Sequence, residues 1–218
     1  MSPSDVLPPP SVPLVYPLGR NLYVNVTSQC NNRCVMCWKF APDQFHGLRL
    51  LFPNLAAEPS PDAVVAAIEG WPEPYQDLVF CGLGEPLRRA GAVLEIASRT
   101  RRPGRAIRVN TDGLVCLREG PGFMPQMAGV IDALSVSLNA QDRETYNRLC
   151  RPSEPERAFD AVLTFLRDAP RYVPSVTATV VANRWVDVEA CRRLAASLRV
   201  EFRVRTLDPP PASLRLGL

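Results

Sequence analysis

Hydrophobic and polar positions along the chain follow two alternating patterns, one with the period of a strand and one with the period of a helix. Short runs rich in Val, Leu, Ile and Phe predict strands, and the longer amphipathic segments between them predict helices. Strict alternation of this kind predicts right-handed βαβ units and a parallel sheet. The predicted strands cover residues 21–28, 77–82, 106–113, 131–140, 175–182 and 201–207.

The segments between these strands carry helix signals. Ser60 can cap a helix, Pro61 suits its first turn, and Gly70 ends it. Together these residues predict a helix over residues 60–70. Further helices are predicted over residues 86–100, 142–150, 154–170 and 185–199, with a short helical piece at 124–128.

Five of the predicted strands alternate, so one face of the sheet is apolar and can lie under the helices. A closed barrel lumen would be packed with branched apolar side chains, and six units are fewer than the eight of a closed barrel. The pattern favours an α/β fold with a partial (β/α)6 barrel, a parallel curved sheet with a polar concave face. An open doubly wound sheet is the competing fold, and a solvated sheet face is the plain interpretation. The polar positions are Asn25, Thr27, Arg108, Asn110, Ser135, Ser137, Asn139, Thr177, Thr179, Arg203 and Arg205.

Length and composition limit the possibilities further. The 218 residues suit a proline-rich, flexible leader at 1–19 followed by a single domain at 20–218. No apolar run approaches the ~20 residues of a membrane span. A net charge of +3 is too small to indicate nucleic-acid binding. Seven cysteines form a poor disulfide framework, which favours a reducing, cytoplasmic location. His46 is the only histidine, which argues against histidine-rich zinc sites and histidine-dependent nucleophilic catalysis.

The strongest chemical signal is the stretch SQCNNRCVMCWK at residues 28–39, in which Cys30, Cys34 and Cys37 have the spacing C-x3-C-x2-C. Thiolates are soft ligands that suit zinc, copper(I) and iron–sulfur clusters. Each iron of a cubane cluster needs one external ligand, so three cysteines leave one iron open. An open position is typical of a catalytic metal site, whereas a structural zinc site closes it. Structural zinc remains the alternative.

This motif directly after the first predicted strand resembles that of the radical S-adenosylmethionine (radical SAM) superfamily. CGLGEP at 81–86 is similar to the family's GGEP-type motif, VNTDG at 109–113 to its T-N-G element, and SVSLNA at 135–140 to its ribose-contacting strand end. The resemblance extends over residues 21–205 and is closer still to the TatD-associated radical SAM proteins, a group without an assigned substrate.

The resemblance implies an enzyme with a 4Fe-4S cluster on the three cysteines and S-adenosyl-L-methionine bound at the open iron. The reduced cluster would cleave S-adenosylmethionine to methionine and a 5′-deoxyadenosyl radical, which abstracts hydrogen from a substrate. An electron donor such as flavodoxin or ferredoxin is implied as a partner. No membrane or nucleic-acid partner is expected.

The resemblance also assigns cofactor contacts to individual residues. It implies a pocket for the amino group of S-adenosylmethionine, ribose or carboxylate contacts at a strand end, a third strand end that lines the same site, and an arginine for the methionine carboxylate. Strand alternation, a common turn and a solvated charge are the plain interpretations of the last three. The residues of the amino-group pocket are Gly82, Gly84, Glu85 and Pro86. The ribose or carboxylate contacts are Ser137 and Asn139, and the end of the third predicted strand supplies Asn110, Thr111 and Asp112. The arginine for the methionine carboxylate is Arg148 or Arg151.

One position departs from the family pattern. The residue before the third cysteine is usually aromatic and packs on adenine, but here it is Met36, with Trp38 after Cys37. The adenine contact is therefore not assigned. The remaining cysteines are interpreted as buried structural residues rather than as ligands of a second cluster, because they lie far apart in the sequence. They are Cys81, Cys116, Cys150 and Cys191.

The leading functional hypothesis is a radical SAM enzyme whose small anionic substrate binds Arg108, Arg203 and Arg205 on the polar face. A glycyl-radical activase is the second hypothesis, and it predicts a protein partner and a wide site opening. Small-substrate members such as 7-carboxy-7-deazaguanine synthase predict a closed pocket instead. A non-catalytic, metal-bearing binding module predicts a continuous basic surface with exposed aromatic residues, which the scattered arginines do not favour.

Overall fold

The computed structural model describes residues 12–40 and 47–206. Residues 1–11, 41–46 and 207–218, which include His46 and most of the predicted leader, lie outside the described residues. Seven strands form one sheet. They are β1 (Val15–Leu18), β2 (Asn21–Val24), β3 (Leu78–Phe80), β4 (Ile107–Thr111), β5 (Ala133–Ser137), β6 (Ser175–Val181) and β7 (Glu201–Arg205).

Six α-helices accompany the strands, and short 3-10 helices join several of them. The α-helices are α1 (Pro61–Glu69), α2 (Ala90–Thr100), α3 (Val115–Glu119), α4 (Arg143–Cys150), α5 (Ala158–Asp168) and α6 (Val188–Ser197). The 3-10 helices are Trp38–Phe40, Leu55–Ala57, Pro86–Arg89, Pro121–Met127 and Ala169–Arg171. Among the described residues, no helix is long and apolar enough to cross a bilayer.

The strands pair in sequence order from β1 to β7, and all neighbours from β2 onward are parallel. β1 pairs antiparallel with β2 and forms one edge, and β7 forms the other. The sheet is therefore open, with the six parallel strands of a partial barrel. The predicted α/β fold is confirmed, and the doubly wound alternative is wrong because no strand pair breaks the sequential order.

The two faces of the sheet differ as the alternation predicts. Leu22 and Val24 of β2, Phe80 of β3 and Val109 of β4 belong to one large core with helical side chains such as Val93. The helices cover this apolar face because their own apolar stripes can be buried only there. The opposite face carries the polar positions of the same strands.

Helix starts follow from local side chains. Ser60 accepts a hydrogen bond from the backbone N–H of Ala63, and Asp142 and Asp187 cap α4 and α6 in the same way. Each cap satisfies a backbone donor that the first helical turn leaves without a partner.

Two elements differ from the sequence prediction. Val15–Leu18 form β1, although the sequence placed them in the flexible leader, and Tyr16 in this strand is buried. Val115–Glu119 form α3, which the sequence did not predict. The ordered sheet thus begins before residue 20.

A second, smaller apolar cluster lies on the concave side of the sheet. Tyr16, Leu50 and Leu83 are its buried members, and Tyr23 and Trp38 pack against them. Tyr23 lies on the face of β2 opposite Leu22 and Val24, which places the cluster inside the curve of the sheet. The concave face is therefore polar at β4–β7 and partly apolar beside β1.

Candidate cluster and cofactor site

The loop with the three cysteines begins where β2 ends, and one of its sides is attached to the end of α4. The backbone N–H of Arg33 donates to the Cys150 carbonyl, and that of Val35 donates to the Leu149 carbonyl, both at 2.9 Å. The side chain of Asn32 donates to the Tyr146 hydroxyl at 3.3 Å. These contacts position Cys34, which lies between two anchored residues.

The other side of the loop is held by Glu58, whose side chain is only 7% exposed. Its carboxylate accepts hydrogen bonds from the Thr27 hydroxyl at 2.6 Å, the Ser28 N–H at 3.2 Å and the Gln29 amide at 3.3 Å. Arg89 lies 4.0 Å from the same carboxylate and donates to the carbonyl oxygens of Val26 and Pro59. Hydrogen bonds to charged groups are among the stronger ones, so this clamp orders the approach to Cys30.

The loop that follows β3 packs directly on the cysteine loop. The backbone N–H of Glu85 donates to the Gln29 carbonyl at 2.7 Å. A Cβ at Gly84 would lie 2.2 Å from the Thr27 carbonyl oxygen and 2.7 Å from that of Gln29, so only glycine allows this approach. Gly82 has a φ of 151° and lies against Asn25. The two loops therefore form one unit at the carboxyl ends of β2 and β3, beside buried Pro86.

The Glu85 carboxylate connects this unit to the end of β4. It accepts hydrogen bonds from the Leu87 N–H at 2.9 Å, the Thr111 hydroxyl at 2.8 Å and the Asp112 N–H at 2.6 Å. Burial and the neighbouring Asp112 carboxyl raise the pKa of Glu85 well above its usual range. Glu85 and Thr111, both predicted cofactor contacts, thus make internal bonds that shape the site.

Asp112 completes this network. Its carboxyl accepts from the Asn31 side chain at 2.9 Å and from the Leu114 N–H at 2.9 Å, and burial raises its pKa. Arg88 donates to the Asn31 side chain at 3.1 Å. Asn31 lies next to Cys30, so the ends of β3 and β4 both support the first cysteine.

Burial raises the pKa of each cysteine thiol of the loop, that of Cys37 to about 11. For Cys30 the carboxyls of Asp112 and Glu85 add to the effect of burial, and for Cys34 the hydrogen bond with Cys150 is the largest cause. Lys39, the only lysine in the chain, donates its backbone N–H to the Cys37 sulfur at 3.4 Å, and this bond and the lysine charge lower the pKa of Cys37 in part. Its Nζ donates to the Ser28 carbonyl. Protonated thiols release their protons when they bind a metal.

The donor set of this loop fits an iron–sulfur cluster. Three soft sulfur donors come from one loop at the rim of the sheet, where parallel strands present ligands. Among the described residues, no three Cys, His, Asp or Glu side chains converge as ligands of one metal ion. Cubane ligands each bind a different iron, so they need not converge on one point.

The end of β5 contributes Asn139, which has a left-handed φ of 58°. Its amide donates to the Cys150 sulfur at 3.5 Å, and its backbone N–H donates to the Thr179 carbonyl at 3.1 Å. Asparagine is one of the few non-glycine residues that adopt this left-handed conformation readily, because its short polar side chain can hydrogen-bond locally. Asn110 also lies on this side, and its side-chain oxygen is buried without a hydrogen-bond partner among the described residues. Ser137 is half-buried on the same face.

The two arginines predicted to contact the methionine carboxylate differ in their surroundings. Arg148 forms an ion pair with Glu144 on α4 at 3.1 Å, and its side chain is 55% exposed. None of the contacts recorded for the described residues brings it to the cysteine loop. Arg151 has a left-handed φ of 46°, and its carbonyl accepts from the Arg33 N–H at 3.2 Å. Arg151 therefore supports the loop through its backbone.

Met36 and Trp38, which flank Cys37, are both used for packing. Met36 is buried in the main core, and Trp38 packs on the smaller cluster with Leu50.

On the concave face near β7, Arg203 donates a hydrogen bond to the Ser135 hydroxyl at 3.0 Å. Burial, Arg108 and Arg205 all lower the pKa of Arg203.

Two of the predicted substrate arginines, Arg108 and Arg205, thus lie within electrostatic reach of the third, Arg203. In residues 12–40 and 47–206, none of them forms an ion pair with a carboxylate. The nearby Glu201 instead accepts a hydrogen bond from Thr177 at 2.9 Å. Arg108 donates to the Tyr23 hydroxyl at 3.5 Å, and its Nε is buried without a partner in the described part of the chain.

Sequence reasoning missed several residues that shape the site. They lie in an irregular segment, beside the first cysteine or after the CGLGEP motif, where no periodic pattern indicates their contacts. Proximity to a motif was the only signal for three of them: Asn31 beside Cys30, and Arg88 and Arg89 just after CGLGEP. These residues are Asn31, Glu58, Arg88 and Arg89.

Similar proteins were found by family and by structure. A model of the radical SAM superfamily matches residues 24–184. A search of curated proteins finds no significant match. A radical SAM methyltransferase from Sphaerobacter thermophilus superposes with a TM-score of 0.55 at 17% identity, covering 92% of this chain and 70% of that protein.

Two further solved structures share the fold at low identity. HydG, a maturase of the FeFe hydrogenase, has a TM-score of 0.59 at 17% identity, and 87% of this chain matches 42% of it. anSMEcpe with bound AdoMet has a TM-score of 0.53 at 12% identity, and 85% of this chain matches 50% of it. The chain thus spans half or less of these two proteins. Because the family model matches well over half of the chain, the chain belongs to the radical SAM superfamily, whose members are enzymes that use a 4Fe-4S cluster and S-adenosylmethionine.

Proposed function

We propose that Cys30, Cys34 and Cys37 hold the cluster and that the enzyme acts on a small anionic substrate bound on the concave face. When bound and reduced, the cluster supplies the electron that cleaves S-adenosylmethionine to the 5′-deoxyadenosyl radical, which takes a hydrogen atom from the substrate. The observation that carries the choice of substrate is that Arg108 and Arg205 lower the pKa of Arg203, while none of the three forms an ion pair with a carboxylate among the described residues.

The chain's own residues divide into two tasks in this proposal. Gly82, Gly84 and Pro86 form the backbone pocket for the amino group, and Asn110 and Asn139 offer polar contacts at neighbouring strand ends. Glu85 and Thr111 position that pocket through their bonds to the β4 end. Ser137 faces the same side of the sheet as these contacts.

Arg108, Arg203 and Arg205 form the second part and bind the anion. Guanidinium groups bind carboxylate and phosphate through paired, charge-assisted hydrogen bonds. Arg108 and Arg205 both repel Arg203, which nearby Glu201 offsets only in part, so an anionic ligand relieves a cost that the free protein carries. The glycyl-radical activase alternative instead requires a protein segment to enter the site.

Several finer assignments rest on motif resemblance and belong to the same proposal. SVSLNAQDRETYNRLCRP, at 135–152, and the segments after it favour membership of the TatD-associated group. A flavodoxin or ferredoxin is proposed as the electron donor. A cytoplasmic location suits three cysteine thiols that an oxidising compartment would pair.

Anaerobic reconstitution of the full chain with iron and sulfide tests the cluster. We expect an electron paramagnetic resonance (EPR) signal of a reduced cubane that changes on addition of S-adenosylmethionine, with 5′-deoxyadenosine as a product. A variant with all three loop cysteines replaced by alanine should lose iron and signal, whereas Cys191→Ala should keep both. Stable zinc without a cluster would overturn the proposal.

The substrate class is tested by the yield of 5′-deoxyadenosine in the presence of small compounds. A panel of carboxylates and phosphate monoesters should include members that raise the yield, and their methyl esters and amides should not. Arg203→Gln should weaken the response to an active compound. Stimulation only by a protein fraction, or equally by charged and neutral compounds, would overturn the anionic substrate.

A further inference from the structure

The concave face has an apolar part that the proposed function does not use. Its aromatic and aliphatic side chains form the smaller apolar cluster, in which the ring centroids of Tyr16 and Tyr23 lie 5.6 Å apart. Some members of this cluster are buried, but others are only half-buried, so part of its apolar surface remains open to water. The half-buried members are Tyr23, Trp38, Leu48 and Leu51.

This cluster meets the proposed cofactor site at two points. Leu83 is buried in the cluster and lies between Gly82 and Gly84, in the loop proposed to receive the amino group of S-adenosylmethionine. Trp38 directly follows Cys37 and packs against the same cluster. Apolar side chains therefore extend from both cofactor loops onto the concave face.

The same cluster also reaches the arginines, and Tyr23 makes the connection. Tyr23 of β2, Val79 of β3 and Arg108 of β4 are aligned by the register of the parallel strands, so their side chains point to one face of the sheet. The Arg108 guanidinium donates to the Tyr23 hydroxyl at 3.5 Å, while the Tyr23 ring packs on Tyr16. One residue thus belongs to the apolar cluster and contacts a predicted substrate arginine.

Arg203 approaches this region from the far edge of the sheet. It lies on β7, yet it donates to the Ser135 hydroxyl of β5 at 3.0 Å, so its side chain crosses β6 on the concave face. Ser135 is paired with Asn110, which lies two residues beyond Arg108 on β4. The concave face therefore carries guanidinium groups on one side and partly open apolar surface on the other.

We propose that the substrate is an amphipathic organic anion, whose carboxylate or phosphate group binds the arginines and whose apolar body, about the size of one aromatic ring, packs on the Tyr23 side of the face. The inference rests on the proposed function, because it describes the ligand of the same site. It narrows that function, since a hydrophilic anion such as a sugar phosphate would leave the apolar surface without a partner.

Two physical effects favour such a ligand. Removing the apolar surface of the ligand and of the half-buried side chains from water is favourable, and aromatic rings pack well at offset or tilted angles. The guanidinium groups fix the anionic end through charge-assisted hydrogen bonds. Ligand pockets commonly combine apolar walls with a few polar groups that set the orientation. The two parts of the ligand together should therefore bind more tightly than either part alone.

Isothermal titration calorimetry of the anaerobic full chain, loaded with the cluster and S-adenosylmethionine, tests this substrate class without a measurement of turnover. In one matched series, 3-phenylpropionate is compared with propionate and with the uncharged 3-phenylpropanol. In the other, phenyl phosphate is compared with methyl phosphate. We expect at least one ring-bearing anion to bind about tenfold or more tightly than its small counterpart and than the alcohol, with a more negative heat-capacity change.

Variants locate the apolar part of the site. Tyr23→Ala removes the ring and should weaken binding of the ring-bearing anion about fivefold or more, with the affinity for the small anions within about twofold of wild type. Tyr23→Phe keeps the ring and should keep the preference. Tyr75→Ala is the matched control, because Tyr75 is also half-buried and also lies under an arginine, Arg105, at 4.2 Å, but precedes β3. It should bind every ligand as the wild type does.

The wild-type series decides the inference even if Tyr23→Ala does not fold. Equal affinity for ring-bearing and small anions, or no binding of either ring-bearing anion, would overturn the amphipathic ligand and leave the anionic substrate to its own test. A preference lost in Tyr75→Ala but kept in Tyr23→Ala would also overturn it. Equal binding of 3-phenylpropanol and 3-phenylpropionate, or a full chain that assembles no cluster, would overturn the proposed function and this inference together.

Discussion

The charged side chains of the loops after β2–β4 make many hydrogen bonds inside the protein, whereas those of the concave face at β6–β7 make few. At the first region, Glu58, Glu85 and Arg89 each make several hydrogen bonds inside the protein. At the second, the described residues provide Arg203 with one side-chain hydrogen bond, to Ser135, and Arg205 with no ion pair. The Glu58 and Glu85 carboxylates of the first region thus have internal donors, whereas the arginines of the second region have few internal acceptors.

This difference indicates a division of labour on one sheet. A cofactor shared by a whole family can be received by a rigid, internally bonded frame, because its shape does not vary. A substrate that differs between members is recognised by groups that the free protein leaves available. If this division is correct, substitutions in the first region should cost stability, and those in the second should cost mainly ligand binding.

The largest effect is expected at the contact between the two loops. Gly84→Ala places a Cβ 2.2 Å from the Thr27 carbonyl, and backbone atoms cannot move aside cheaply. We expect a loss of more than about 3 kcal/mol in the free energy of unfolding, with little iron bound. Gly91→Ala is the matched control, because Gly91 lies in α2 with no atom near its Cβ position, and alanine should stabilise by about 0.5–1 kcal/mol. Urea unfolding of both variants measures the difference. Equal stabilities would show that the contact between the two loops does not require glycine at residue 84.

The Glu58 clamp should show the next largest effect. Glu58→Ala leaves the donors of Thr27, Ser28 and Gln29 without their acceptor, and we expect a loss of roughly 2–4 kcal/mol. Glu58→Gln keeps one acceptor oxygen and should lose about half as much or less. Chemical denaturation measures the stability, and iron retention after gel filtration measures the loop. A destabilised Glu58→Ala that keeps all its iron would show that the clamp does not order the cysteines.

Two arginines test the contrast between the regions directly. Arg89→Met deprives the Val26 and Pro59 carbonyls of a charged donor and should cost about 1–3 kcal/mol. Arg203→Met removes a charge that Arg108 and Arg205 both repel and should leave stability unchanged or slightly higher. Denaturation midpoints compare the two variants. A larger loss for Arg203→Met would mean that this arginine is structural.

The smallest expected effect concerns the pH dependence of stability. Burial raises the pKa values of Glu85 and Asp112 in the fold, so the folded state binds more protons than the unfolded chain once the pH exceeds the ordinary carboxyl pKa of about 4. Stability that is present at low pH is therefore lost as the pH rises through the raised pKa values. Asp112→Asn removes one of these two groups and keeps an acceptor for the Leu114 N–H.

We expect the denaturation midpoint of Asp112→Asn to fall less than that of the wild type between about pH 5 and about pH 8. The anaerobic full chain serves for both proteins, and an unchanged or steeper slope in the variant would show that the pair does not control this range.

Local patterns predicted most of the regular structure. The six parallel strands and five of the six α-helices were indicated by period and by caps such as Ser60. β1 was missed because Pro17 lies inside it, and proline is tolerated in a strand only at an edge, which a single sequence does not reveal. α3 was missed because five residues are too short for a periodic signal.

The site was predictable only as far as its motif. The spacing of the cysteines indicated the cluster, but the hydrogen bonds from Thr27 and Ser28 to Glu58 join residues 31 and 30 positions apart. Glu58 follows an irregular segment that carries no period. The backbone bonds from Arg33 to Cys150 and from Val35 to Leu149 likewise depend on how the end of α4 packs on the loop. Such contacts are set by tertiary structure, which local propensity does not encode.

The amine of Lys39, which donates a hydrogen bond to the Ser28 carbonyl, allows the cysteine loop to be labelled chemically. Because the chain has no other lysine, an amine-selective reagent finds one side chain, and that side chain spans the base of the three-thiol loop. The extent of labelling at this single position therefore reports the state of the loop in any preparation, without a spectroscopic signal from iron. Lys39 is therefore a natural chemical probe of the three-cysteine loop.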